Sequence, residues 1–325
     1  MSEGSSRPTT PTLPPAEAAW KAPDRRRVLQ LTLAGLWLLD ALLQLQPFMF
    51  SRSFGLLMLG PTALGNPGVI AHPITDVSRS IAQHSVGANT GFVLIQLLLA
   101  FGIAYRPTVR WALAGSVVWS LLVWWFGEGL GGLLAGSASP LTGAPGSVLL
   151  YGALAVLLWP PSGGEREAGA FAAAGRVGTR AARAVWVVMW GVLAVTAAAG
   201  SVARRPASLL RAMAAGEPGW LGGLERWSAR LVAGHGPLVA VLLCVALAAI
   251  AAAVLLPGPP RRALVVSAVV LGLIVFVVGT AFGQLFSGSS TDPSTGPLLA
   301  LVALAYWPAR LPDRAGSPTW PEPSA

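Results

Sequence analysis

The chain has 325 residues, 54% hydrophobic and 11% charged, with a formal net charge of +9 and a mean hydropathy of +0.64. Soluble domains carry about 25% charged residues, so this deficit excludes an ordinary soluble protein and points to a polytopic helical membrane protein. The positive balance is no nucleic-acid signature, because the arginines sit between apolar runs. The single cysteine, Cys244, excludes an intrachain disulfide and a thiolate metal site.

Residues 1–27 read as a cytoplasmic tail, disordered through its Pro-, Ser- and Thr-rich first part and ending in Arg25-Arg26-Arg27. Eight apolar segments follow: Val28 to Phe50, Asn89 to Tyr105, Trp111 to Leu130, Gly146 to Trp159, Ala184 to Ser201, Pro237 to Leu256, Ala263 to Ala281 and Leu298 to Trp307. A span needs about 20 residues at about 1.5 Å rise, so the two short segments must draw on the Gly- and Pro-containing sequence before them. With eight spans, 15 of the 22 basic residues fall on one side, which the positive-inside rule makes the cytoplasm. The expected product is a multi-pass plasma-membrane protein with both termini cytoplasmic and the lipid bilayer as its first partner.

Two long outer loops, 51–88 and 202–236, each carry apolar residues at helical spacing. Ile74, Val77, Ser78 and Ile81 mark the first, and Leu221, Leu224, Trp227 and Leu231 the second. Each predicts one amphipathic helix lying at the outer interface.

The two halves align. Gly65-Asn66-Pro67-Gly68 matches Gly216-Glu217-Pro218-Gly219, and Arg79 and His84 match Arg230 and His235, at an offset of 151. Arg110 and Gly127 match Arg262 and Gly279 at 152, Thr142-Gly143 matches Thr295-Gly296, Trp159-Pro160 matches Trp307-Pro308, and Trp37 matches Trp190. The fold class expected is therefore all-α integral membrane, with eight transmembrane helices as two parallel four-helix repeats (28–160 and 184–310), a cytoplasmic linker at 161–183 and a tail at 311–325. An even number of spans per unit gives both copies the same orientation.

The unit resembles the DoxX-like four-helix family. The first helix, with Gly35-Leu36-Trp37-Leu38-Leu39-Asp40-Ala41-Leu42-Leu43-Gln44, is similar to that family's Gly-rich first helix with its polar end. Leu99-Ala100-Phe101-Gly102-Ile103-Ala104-Tyr105-Arg106 is similar to its second-helix exit, and Asp40 stands where the family commonly has His or Gln. The resemblance implies service beside quinone-linked sulfur oxidation or oxidative-stress complexes.

Among individual residues, Asp40 stands out. It lies about 18 Å along a helix that starts at Val28, where a carboxylate costs about 2.5–3.5 kcal/mol. Trp37, Asp40 and Gln44 share one helical face. That face either lines a polar cavity or packs on a neighbouring helix through a hydrogen bond. Glu128, set among Trp124-Trp125-Phe126-Gly127 and Gly129, Gly131 and Gly132, is either a polar floor facing the outer compartment or an interfacial carboxylate paired with Arg79 or water. Trp124 and Trp125 are pocket candidates against an interfacial belt. His84 and His235 are weak metal candidates against residues that cap helix starts. No nucleophile triad, Walker loop or dinucleotide fingerprint is present. The expected role is a non-enzymatic subunit or scaffold with an outward-facing polar pocket, supporting a cell-envelope or redox complex. The alternatives are a small-molecule or ion transporter and a quinone-linked oxidoreductase component, with the cofactor left open.

Overall fold

The computed structural model describes residues 24–160, 171–199, 205–215, 217–257 and 259–308. The tail before residue 24, residues 161–170 of the linker, Gly216 and the C-terminal tail lie outside them. The described residues form eleven α-helices and no strand. In chain order they are α1 (Arg25–Leu43), α2 (Gly68–Gln83), α3 (Ser85–Ala104), α4 (Val109–Phe126), α5 (Ser147–Leu157), α6 (Gly178–Ala199), α7 (Pro206–Met213), α8 (Gly219–Val232), α9 (Gly236–Ala252), α10 (Pro259–Ile274) and α11 (Thr295–Ala305).

Five helical segments are long and apolar enough to cross a membrane: α3, α4, α6, α9 continued to Leu255 and α10 continued to Gly279. The chain is an all-helical, multi-pass membrane protein. α1 falls outside this set because its nineteen residues carry Arg25, Arg26, Arg27 and Asp40. It also stops at Leu43, before Pro47, so the apolar run to Phe50 is not one helix. α5 and α11 have eleven residues each, or about 16 Å, half of a hydrocarbon core.

The irregular backbone ahead of these two half-length helices is packed inside the protein, with Ala138, Ser139, Ala144, Ala281 and Ser290 buried. Irregular backbone at membrane depth is tolerated only in such a setting. One pair of turns in it is unusual. Gly129 to Gly132 all have positive φ, and so do Ala281 to Gln284, 152 residues later. Each is one turn of left-handed helix, a conformation that costs about 1–2 kcal/mol for every residue with a Cβ.

α1 packs against α3, α4 against α5, α6 against α9 and α10 against α11, with α5 and α11 also in contact. Gly272 and Gly296 let α10 and α11 approach until a Cβ on Gly272 would lie 2.8 Å from the Gly296 carbonyl oxygen. The core runs through both halves and includes Trp37, Trp186, Trp190, Tyr151 and Tyr306.

One end of the bundle gathers arginine. Arg27 donates to the carbonyls of Ile103 (2.9 Å) and Ala104, Arg26 to Ala172 (3.2 Å) and Arg25 to Pro308 (3.4 Å). The start of α1 thus meets the exits of α3 and α11. Part of the expected linker belongs to this core: Phe171, Ala173 and Ala174 are buried, and Phe171 lies against Tyr306 with Arg261 over its ring. Its apolar side chains, not its place between the two halves, decide that placement.

The two long loops hold more structure than one helix each. In the first, a π-helical turn (Phe54–Leu59) and a 3-10 turn (Gly60–Ala63) precede α2, whose inward face is Ile74, Ser78, Ile81 and Ala82, with Val77 half-buried. In the second, α7 and α8 form a hairpin. The inward face of α8 is Leu221, Gly222, Glu225, Ser228 and Ala229. Of the expected apolar stripe, Trp227 and Leu231 are exposed, as is Trp220, while Leu221 is buried. The apolar stripe suits a lipid interface, whereas the protein core takes the small residues beside it. Thr142 ends a 3-10 turn while Thr295 begins α11, so those two residues do not hold matching places. The helices before Trp159 and Trp307 start at Ser147 and Thr295.

Candidate functional site

At the end opposite the arginines, the polar face of α1 meets α3, α4 and α5. Asp40 is 2% exposed, and the Tyr151 hydroxyl donates to its Oδ1 at 2.9 Å. Trp37 lies on the Tyr151 ring at 4.3 Å between centroids and donates its indole N–H to Ser116 Oγ at 3.1 Å. Gln44 donates to Asn89 Oδ1 at 2.7 Å, and Asn89 returns a bond to the Gln44 carbonyl at 2.8 Å. Trp37, Asp40 and Gln44 each have a partner on another helix, as burial in an apolar bundle demands.

Glu128 lies between α4 and the first left-handed turn, with its own φ at −109°. Its Oε1 accepts from Ser147 Oγ (2.7 Å) and the Val148 N–H (3.1 Å), so it caps the N-terminus of α5 from another part of the chain. Gly146 makes room for this. Its φ is +114°, and a Cβ there would overlap Glu128 Oε2 and lie 2.9 Å from Trp124 Cδ1. Trp124 donates to the Pro145 carbonyl at 2.7 Å, holding the same loop. The start of α11 has its own carboxylate: Asp292 Oδ1 accepts from the Ser294 N–H at 2.7 Å, and its Oδ2 from Thr291 Oγ1 at 2.9 Å. Thr295 Oγ1 donates to the Gly143 carbonyl at 2.6 Å and Gln46 to the Ser290 carbonyl at 3.1 Å, which ties the two halves together around this end.

These groups surround one space with two chambers. The outer chamber, about 590 Å³, is lined by polar residues including Asn66, Thr280, Gln284, Ser290 and Thr295. The inner chamber, about 440 Å³, reaches Trp37, Asp40, Gln44 and Tyr151 between walls of Phe54, Phe92, Trp119 and Phe126. Glu128, Ser147, Thr291 and Asp292 line both chambers, so they stand at the junction. Among the described residues, neither lining contains Lys, Arg or His.

Asp40 and Glu128 thus line one cavity, with Trp37 and Gln44 beside them. Trp124 supports the loop, and Trp125 stacks on Phe126 at the exposed surface; neither lines the inner chamber. Glu128 is not paired with Arg79, whose guanidinium lies 3.7 Å from Asp76. His84 and His235 are exposed just before α3 and α9, each with Nδ1 near its own segment's backbone, at Ser80 O (3.1 Å) and Ala233 O (3.0 Å). No group of three His, Cys, Asp or Glu side chains fit for a metal lies among the described residues.

Sequence reasoning missed Asp292, Tyr151, Gln96 and Ser147. A lone acid directly before Pro293 and the last apolar segment was the available signal for Asp292, and a tyrosine inside an apolar run was the signal for Tyr151. Away from the cavity, Glu225 on α8 is fully buried, and neither its oxygens nor those of Glu217 have a hydrogen-bond partner among the described residues. Burial, with the charge of Glu217 adding to it, pushes the Glu225 carboxyl up to about 7.

The fold and site define a multi-pass helical membrane protein with an acidic, aromatic-walled cavity at one end. Compared with known proteins, the chain matches no family model, no curated protein and no solved structure.

Proposed function

We propose that this protein is a non-enzymatic membrane subunit that works by binding a ligand in an outward-facing polar pocket. The observation that carries the reading is that Asp40 and Glu128, two acids placed where apolar residues would cost less, line one cavity. In this reading α1, α5 and α11 complete eight spans with the five long helices, arranged as two parallel four-helix repeats. The matching left-handed turns at 129–132 and 281–284, and the matching packing of α1 on α3 and α6 on α9, support it. Arginine at the opposite end supports cytoplasmic termini by the positive-inside rule. The DoxX-like resemblance fits the four-helix unit and suggests an envelope or redox complex as the setting. Affinity purification from native membranes tests that setting: partner subunits should copurify, and recovery of the chain alone would remove it.

A second reading is a small-molecule transporter. It is favoured by two half-length helices, each preceded by buried irregular backbone and meeting a carboxylate at its N-terminus, as in discontinuous-helix carriers. It requires Asp40→Asn to abolish flux while expression persists.

A further inference from the structure

We propose that the cavity takes a lipophilic organic cation: a protonated amine joined to an apolar body, with the ammonium at the Glu128–Asp292 junction and the body in the inner chamber. The assignment rests on the binding-pocket reading and names the ligand class.

Three observations carry it. The lining offers three carboxyl groups and, among the described residues, no cationic side chain beside them. Asp292 lies within electrostatic reach of both Asp40 and Glu128, both linings lack Lys, Arg and His among the described residues, and no ion pair to these acids lies among them. A cation would gain from facing these carboxyl groups, and an anion would lose by it.

The second observation is unmet hydrogen-bond acceptors. Gln96, 8% exposed, lines the inner chamber with its Oε1 buried and unpartnered. Glu128 Oε2 and Asn66 Oδ1 are in the same condition at the junction and in the outer chamber. Trp119 Nε1 is the matching donor. Three acceptors against one donor ask for a ligand rich in N–H or O–H groups, because an unsatisfied buried acceptor is costly.

The third is the wall. Phe54, Phe92 and Trp119 form a chain of rings with centroids 6.5 and 5.6 Å apart, and Phe126 joins them in lining the chamber. Aromatic rings hold a cation near their faces and an apolar body against them. A bare metal ion does not fit: the acids form no cluster that could ligate one, and the ring wall offers it no oxygen.

The test uses the full chain in lipid nanodiscs, with binding to empty discs subtracted. The probes are 4-phenylbutylammonium, neutral 4-phenylbutanol and anionic 4-phenylbutyrate, followed by tryptophan fluorescence. The ammonium should bind at least tenfold more tightly than the alcohol, and the carboxylate should not saturate. Asp292→Asn keeps an Oδ1 acceptor for the Ser294 N–H, and it should weaken the ammonium at least fivefold while leaving the alcohol within twofold. Gln96→Leu is a second variant with the same expected direction. If the alcohol or carboxylate binds as tightly as the ammonium, the cation assignment is wrong and the pocket reading survives. If none of the probes saturates, both are wrong.

Discussion

Tyr151 donates its phenolic hydrogen to Oδ1 of Asp40 at 2.9 Å, tying the half-length α5 to α1 at the floor of the cavity. This bond makes Asp40 a structural group and a cavity-lining group together. The two readings of Asp40 drawn from the sequence, cavity lining and interhelical bond, are therefore not alternatives.

Removing one partner should cost more than removing both. Tyr151→Phe should lower stability by about 1–3 kcal/mol, because it strands a buried carboxyl. Asp40→Leu combined with Tyr151→Phe should cost less than the sum of the single changes, since two apolar groups leave nothing unsatisfied. Thermal unfolding in detergent measures all three variants, and strict additivity would contradict the coupling.

The left-handed turns predict a stabilising substitution. Gln284 has φ +54° and, unlike Gly131 and Gly283, carries a Cβ. Gln284→Gly should raise stability by about 1 kcal/mol. A glycine is disfavoured in ordinary helix, so a fall in the melting temperature would show that the turn is right-handed in the protein.

At Gly146 the opposite holds. Gly146→Ala would drive a methyl into the Glu128 carboxylate at a backbone φ of +114°. It should cost about 3 kcal/mol, through strain and the lost cap on α5. Gly136 is also at positive φ but has nothing within 4 Å of its would-be Cβ, so Gly136→Ala should cost less in the same melting assay.

The buried acid of α8 predicts a pH dependence. The Glu225 carboxyl is raised from 4.5 to about 7 by burial and by Glu217. The folded state therefore binds more protons than the unfolded state between those values, and stability should fall as pH rises through that window. Glu225→Gln should raise the melting temperature at about pH 8 and change it little at about pH 4. An equal effect at both would mean that the carboxyl does not titrate in the window.

How much of this was legible in the sequence depends on the residue. Apolar runs, Gly-rich turns and the polar face of α1 could be read directly, because period and composition carry them. α1's early end was legible too, since Pro47 inside the apolar run stops a helix before Phe50. The inward face of α8 takes Gly222, Glu225 and Ser228 and leaves Trp227 outside, so no apolar pattern in the sequence marks it. Asp292 joins the cavity through tertiary contacts of the two halves, which no local pattern announces.

The central claim is that the cavity shared by Asp40 and Glu128 opens on the side opposite the arginine end. In a Cys244→Ala background, Thr291→Cys and Thr62→Cys place a thiol at the junction of the chambers, and Arg106→Cys places one at the exposed arginine end. A membrane-impermeant maleimide added to intact cells should label the first two and should reach Arg106→Cys only after permeabilisation. Labelling of Arg106→Cys in intact cells, with the junction thiols protected, would contradict the account.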